Sequence, residues 1–144
     1  MSATDRKVRS AVLELLIDGS ARPNPSQIAE MIGLSVAAAA DSLPQLAGER
    51  RLVLSEDGDS VAMAHPFSAF PTDYRSWIGE RTWWANCAWD AFAILALLGD
   101  GSVVITSSDR SEAVWTVDAG VVAPEGFVHF VVPPRRFWDD IGFT

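Results

Sequence analysis

The chain is short of cysteine, of positive charge and of long apolar runs, and each shortage removes a class of protein. Cys87 stands alone among 144 residues, so no internal disulfide can form and nothing points to a stapled, secreted fold. With one cysteine and two distant histidines, His65 and His129, the ligand spacing of a zinc site is missing as well. Eleven Lys and Arg against nineteen Asp and Glu give a formal net charge of −8. That balance argues against general nucleic-acid binding, because phosphate contacts need clustered cations. The longest apolar run, 91–98, falls far short of the ~20 residues that a membrane span requires, and the N-terminus has no continuous apolar signal segment. A soluble, cytoplasmic chain with neither nucleic-acid nor membrane partners is the expectation.

Apolar side chains, by contrast, are plentiful. Hydrophobic residues make up 49% and charged residues 21%, enough for a real core in one domain or in a small domain with a compact lobe. The six tryptophans and seven phenylalanines concentrate from Phe67 onward, which puts the larger core in the second half.

Residues 8–17 read as a helix with Val8, Val12, Leu15 and Leu16 on one side, stopped at Asp18-Gly19. Ser26 is expected to cap a helix over 27–32, and Ser35 one over 36–47 that Pro44 bends or shortens. Segments 51–55 and 60–64 around the turn 56–59 read as a hairpin. Three helices and a hairpin are the layout of a winged helix, so 1–64 is expected to form a winged-helix-like lobe. Its would-be recognition helix, 36–46, has no Lys or Arg to anchor phosphate or read guanine, and the lobe therefore reads as structural. The prolines of 65–72 imply a rigid, extended connection. In 65–144 a helix is expected over 86–98, ended by Gly99-Asp100-Gly101. Short strands at 103–107, 113–117 and 127–132 and a last helical turn over 135–141 follow. The fold class is α+β, the lobe plus a small antiparallel sheet with one buried helix.

Cys87 and Asp90 carry the chemistry. A thiol at i and a carboxylate at i+3 share one helical face, so Asp90 can receive or return the thiol's proton. The helix N-terminus beside Cys87 would favour the thiolate. Trp83, Trp84 and Trp89 read as core and pocket wall, suited to an apolar organic group. His65 is expected to bond backbone, and His129 to take a surface or sheet-packing place in a strand. Arg135-Arg136 reads as a solvated patch, and Tyr74 and Arg75 have no assigned role.

His65-Pro66-Phe67-Ser68, the block Trp84-Ala85-Asn86-Cys87-Ala88-Trp89-Asp90-Ala91 and the stretch Phe137-Trp138-Asp139-Asp140-Ile141 together resemble the alkylmercury (organomercurial) lyase family. The resemblance spans most of the chain, including the N-terminal lobe, which that family carries without using it on DNA. It implies protonolysis of the carbon–mercury bond of an organomercurial, releasing a hydrocarbon and mercuric ion with no organic cofactor. By position, Cys87 matches the family's first catalytic cysteine and would hold mercury transiently, while Asp90 matches its catalytic aspartate. Thiolate is the soft ligand that a soft metal prefers, and Asp90 could act as general base and then general acid. Trp84, Asn86, Trp89 and Phe67 are the expected substrate-binding residues, with a small apolar substrate and external thiols as partners.

The family's second catalytic cysteine lies shortly after the segment matched by 137–144, and this sequence holds no second cysteine. Either the sequence is cut short or it is a divergent member with another task. The alternatives are a non-enzymatic thiol site for a metal or small apolar ligand, and a different lyase or hydrolase that reuses the Cys/Asp pair.

Overall fold

Helix formation begins at Ser2, whose hydroxyl accepts from the amide of Asp5 while the Asp5 carboxylate accepts from the amide of Ser2. In this computed structural model, which describes residues 1–130 and 132–139, that reciprocal cap starts α1 (Ala3–Ile17) more than a turn before the expected helix. Asn24, and not Ser26, caps α2 (Pro25–Ile32), because Pro25 takes the first helical position and Asn24 accepts from the amides of Ser26 and Gln27. Ser35 caps α3 (Val36–Gly48) as expected, and the helix runs through Pro44 instead of stopping there.

The remainder of the chain builds one antiparallel sheet of eight strands, in the order β1-β2-β3-β5-β4-β6-β7-β8. The strands are β1 (Val53–Leu54), β2 (Val61–Ala64), β3 (Phe67–Ser68), β4 (Tyr74–Ile78), β5 (Arg81–Ala85), β6 (Gly101–Thr106), β7 (Glu112–Asp118) and β8 (Val121–Ala123). The helix α4 (Ala88–Leu98) joins β5 to β6, and a 3₁₀ turn, Pro134–Arg136, comes last. The fold is thus α+β with an antiparallel sheet. The ladder passes through the middle of the sequence, since β2 and β3 pair Met63 with Ser68 and Ala64 with Phe67.

Two differences from the sequence reading matter for the site. First, β4 and β5 form a hairpin where no strands were expected, closed by the two-residue loop Gly79-Glu80 with Gly79 at φ +60°. Second, no strand forms over the described part of 127–132. Pro124 follows β8 and has no N–H to offer a ladder, and Phe127 is 93% exposed. Of the last helical turn expected over 135–141, the 3₁₀ turn is present, and residues 140 and 141 lie outside the described residues.

A single hydrophobic cluster takes Val8, Leu43 and Leu46 from the helices together with Phe67, Ile94 and Val103. Helix α4 packs on β4, β5 and β6, and the buried Ser76 hydroxyl of β4 donates to the Ala91 carbonyl at 2.7 Å. Where α4 hands over to β6 the backbones nearly touch. A Cβ on Gly101 would stand 2.0 Å from the Trp77 carbonyl oxygen, so only glycine lets β6 lie against β4 there.

Candidate active site

The site forms where β5 ends and α4 begins. Ala85, fully buried, pairs with Phe67 and fixes the last strand residue. Cys87 then adopts extended backbone (φ −153°, ψ 177°) as the N-cap of α4, and its carbonyl accepts from the Ala91 amide at 3.1 Å. Asp90 is the third residue of the helix and is only 5% exposed. A carboxylate in that position needs partners, and it has two. His65 Nδ1 lies 2.8 Å from Oδ1, and Asn86 Nδ2 donates to Oδ2 at 2.9 Å. His65 sits between β2 and β3, so pairing of those short strands is what delivers the imidazole to Asp90. It was expected to bond backbone; instead its ring bonds the carboxylate, and most of the imidazole remains open to solvent.

Burial pushes the Cys87 thiol up from its ordinary pKa, and the Asp90 charge adds to the rise; the amides of Asp90 and Trp89 pull the other way without a capping hydrogen bond. The pull toward thiolate expected from the helix N-terminus is present in those amides, and desolvation outweighs it. His65 moves up as well, chiefly through its hydrogen bond to Asp90. Burial and the nearby Arg9 charge oppose that shift.

Cys87, Asp90, Asn86 and Trp89 open onto one cavity of about 370 Å³, shared with His65 and Arg9. Phe130, Phe137 and Trp138 also line it, the Phe130 and Phe137 rings tilted by 51° with centroids 5.3 Å apart. Trp89, 59% exposed, also borders a second, more open cavity of about 790 Å³ that includes Tyr74, Phe92, Trp115 and His129. His129 is thus a cavity-edge residue outside any strand. Trp84 and Phe67, expected to bind substrate, lie elsewhere. Trp84 takes the Arg75 guanidinium over its ring at 5.7 Å on β5, and Phe67 is 2% exposed inside the core. Arg75, given no role from sequence, also pairs with Glu112.

Among the described residues, two buried side-chain atoms have no hydrogen-bond partner, Asn86 Oδ1 and Arg9 Nε. Both residues line the Cys87 cavity. Sequence reasoning missed Arg9 because α1 shows only its apolar stripe, and the residue reaches the site through tertiary packing.

The α+β fold thus brings a thiol and a buried, doubly held carboxylate to one cavity. The family follows from comparison: the model for alkylmercury lyase (MerB) matches residues 67–142, just over half of the chain. The chain belongs to the alkylmercury lyase family. Among solved structures it is similar to the crystal structure of the mercury-bound form of MerB2, with a TM-score of 0.66 and 21% identity over 85% of this chain and 59% of that one. At that identity the likeness is one of fold, and the chain spans less than two thirds of that structure's length. No curated protein matches the chain.

Proposed function

We propose that the chain cleaves carbon–mercury bonds by protonolysis, with Cys87 as the mercury-binding thiol and Asp90 as the proton carrier. The observation that carries this reading is the buried Asp90 carboxylate, one helical turn from Cys87 and opening on the same cavity. Family membership supports the reaction type.

The step begins with Cys87 as a thiol, in keeping with its raised pKa. An organomercurial carried on a small external thiolate, R–Hg–SR′, exchanges that thiolate for Cys87. The Cys87 proton passes to Asp90, the new S–Hg bond forms and R′S⁻ is released. Asp90 then gives the same proton to the carbon as the C–Hg bond breaks, and R′S⁻ returns to mercury as the second sulfur. The products are R–H and Cys87–S–Hg–SR′, so atoms and charge balance, and no redox step or organic cofactor enters. Asn86 and His65 hold Asp90 in place throughout, while Trp89 forms apolar wall. Reliance on an external thiol suits the reducing cytoplasm. Residues 1–64 serve as a structural, winged-helix-like lobe, whose third helix carries no cation for nucleic acid.

Incubation with phenylmercury and excess small thiol, following benzene release, tests the reading. Cys87→Ser should abolish release. Asp90→Asn should still capture the mercurial but cleave on the order of 10²-fold more slowly, the usual size of a lost general acid. Benzene release that survives in Cys87→Ser would sink the mechanism. The single thiol supports a second reading, stoichiometric capture without cleavage, and wild-type binding with no benzene would establish it.

A further inference from the structure

In a chain where acids outnumber bases by nineteen to eleven, an arginine without a carboxylate is unexpected. Arg9 is such a residue. It projects from α1 to the wall of the Cys87 cavity and is half-buried there. Among the described residues no ion pair or hydrogen bond engages it, and its Nε is buried without a partner. The cavity's own carboxylate and those of Asp5 and Glu49 are already committed. Asp90 is held by His65 and Asn86, Asp5 by its cap with Ser2, and Glu49 by the N-terminal ammonium at 3.0 Å and by Arg51 at 3.9 Å. Arg50 and Arg51 line the same cavity, Arg50 lying 5.9 Å over the Trp138 ring. Three guanidinium groups therefore border a space whose one carboxylate is spoken for. A partly desolvated guanidinium left unpaired is costly, and a bound anion would remove that cost. Arginine's planar fork matches a carboxylate in particular.

We propose that Arg9 anchors a carboxylate of the small molecule that reacts at Cys87, with Arg50 and Arg51 reinforcing the positive field. The cavity then selects carboxylate-bearing ligands. The carboxylate belongs either to the organic group on mercury or to the small thiol that delivers it. This deepens the functional reading and rests on Cys87 as the reacting thiol, but not on cleavage itself.

Alkylation of Cys87, the only cysteine, tests the anchor without any lyase turnover. Iodoacetate and iodoacetamide differ by a carboxylate against a neutral amide of similar size. The ratio of their rates cancels any change in Cys87 pKa. In Arg9→Met that ratio should fall about tenfold relative to wild type. Arg9→Lys should keep most of the preference, and added salt should erode it in wild type. Arg9→Gln serves as a second neutral variant should the methionine form fold poorly. A ratio equal in wild type and both neutral variants overturns the proposal.

Two capture experiments locate the carboxylate. Phenylmercury delivered on thioglycolate is compared with phenylmercury on 2-mercaptoethanol, and 4-mercuribenzoate with phenylmercury, both on 2-mercaptoethanol. An Arg9-dependent preference in the first pair assigns the carboxylate to the thiol, and in the second to the organic group. Preference in neither overturns the proposal. Benzene release measured alongside keeps the two readings separate, since its absence with an intact preference counts against cleavage and not against the anchor.

Discussion

His65 and Asp90 come from different elements, and their contact ties the site to pH. His65 titrates above its ordinary value, mainly through the hydrogen bond to Asp90. A raised folded-state pKa means that its contribution to stability is complete below the unfolded value, about 6.5, and is lost as pH rises through the folded value. The melting-temperature advantage of wild type over His65→Gln should therefore be full in mildly acidic solution and shrink as pH rises above the unfolded value. Arg9, which faces the same ring, works against protonation, so the advantage should widen in an Arg9→Met background. A difference that stays flat with pH would remove His65 as the holder of Asp90. At this scale the three-residue spacing of Cys87 and Asp90 is local and legible in the sequence, and both residues open onto one cavity. The sequence could not reveal His65 on Asp90, a contact made by strand pairing. Nor could it reveal the direction of the Cys87 shift, which burial decides.

At the scale of elements, residues expected at the substrate prove to hold the sheet. Phe67 pairs with Ala85, the residue just before Asn86 and Cys87, and it is buried in the core. Phe67→Ala should cost about 3–5 kcal/mol, read from urea unfolding. Phe67→Leu, which keeps most of the volume, should leave Cys87 alkylation unchanged; slower alkylation in that folded variant would return Phe67 to the ligand. The helices were legible because their caps and apolar stripes are short-range signals, as with Ser35 and with Val8 and Val12 on α1. The β4–β5 hairpin was missed because Arg, Thr and Trp mask its alternation. The Gly79-Glu80 loop was the signal that could have exposed it. At 127–132 the alternation was real, but a ladder needs a neighbour to pair with, and the described residues of this segment pair with none.

For the whole molecule, the α+β class and the antiparallel sheet could be read from composition and turn spacing, whereas the continuity of the sheet could not. The ladder crosses from β2 to β3, and the Trp83 indole donates to the Ile17 carbonyl at 2.8 Å, with Arg81 donating to the same oxygen at 2.5 Å. The three N-terminal helices should accordingly melt together with the sheet. Far-UV circular dichroism and tryptophan fluorescence should give coincident urea transitions, and a separate early loss of helix signal would show two independent units. Among the described residues no helix is long and apolar enough to cross a membrane.

Trp89 and Trp138 border the cavity that holds Cys87, while Trp83 is buried against the end of α1. A heavy atom beside an indole drives its excited state into the triplet and darkens its emission. Mercury held on Cys87, as proposed, would dim the two indoles at the cavity and spare the four outside it, giving an optical gauge of occupancy that is readable before any bond to carbon is broken.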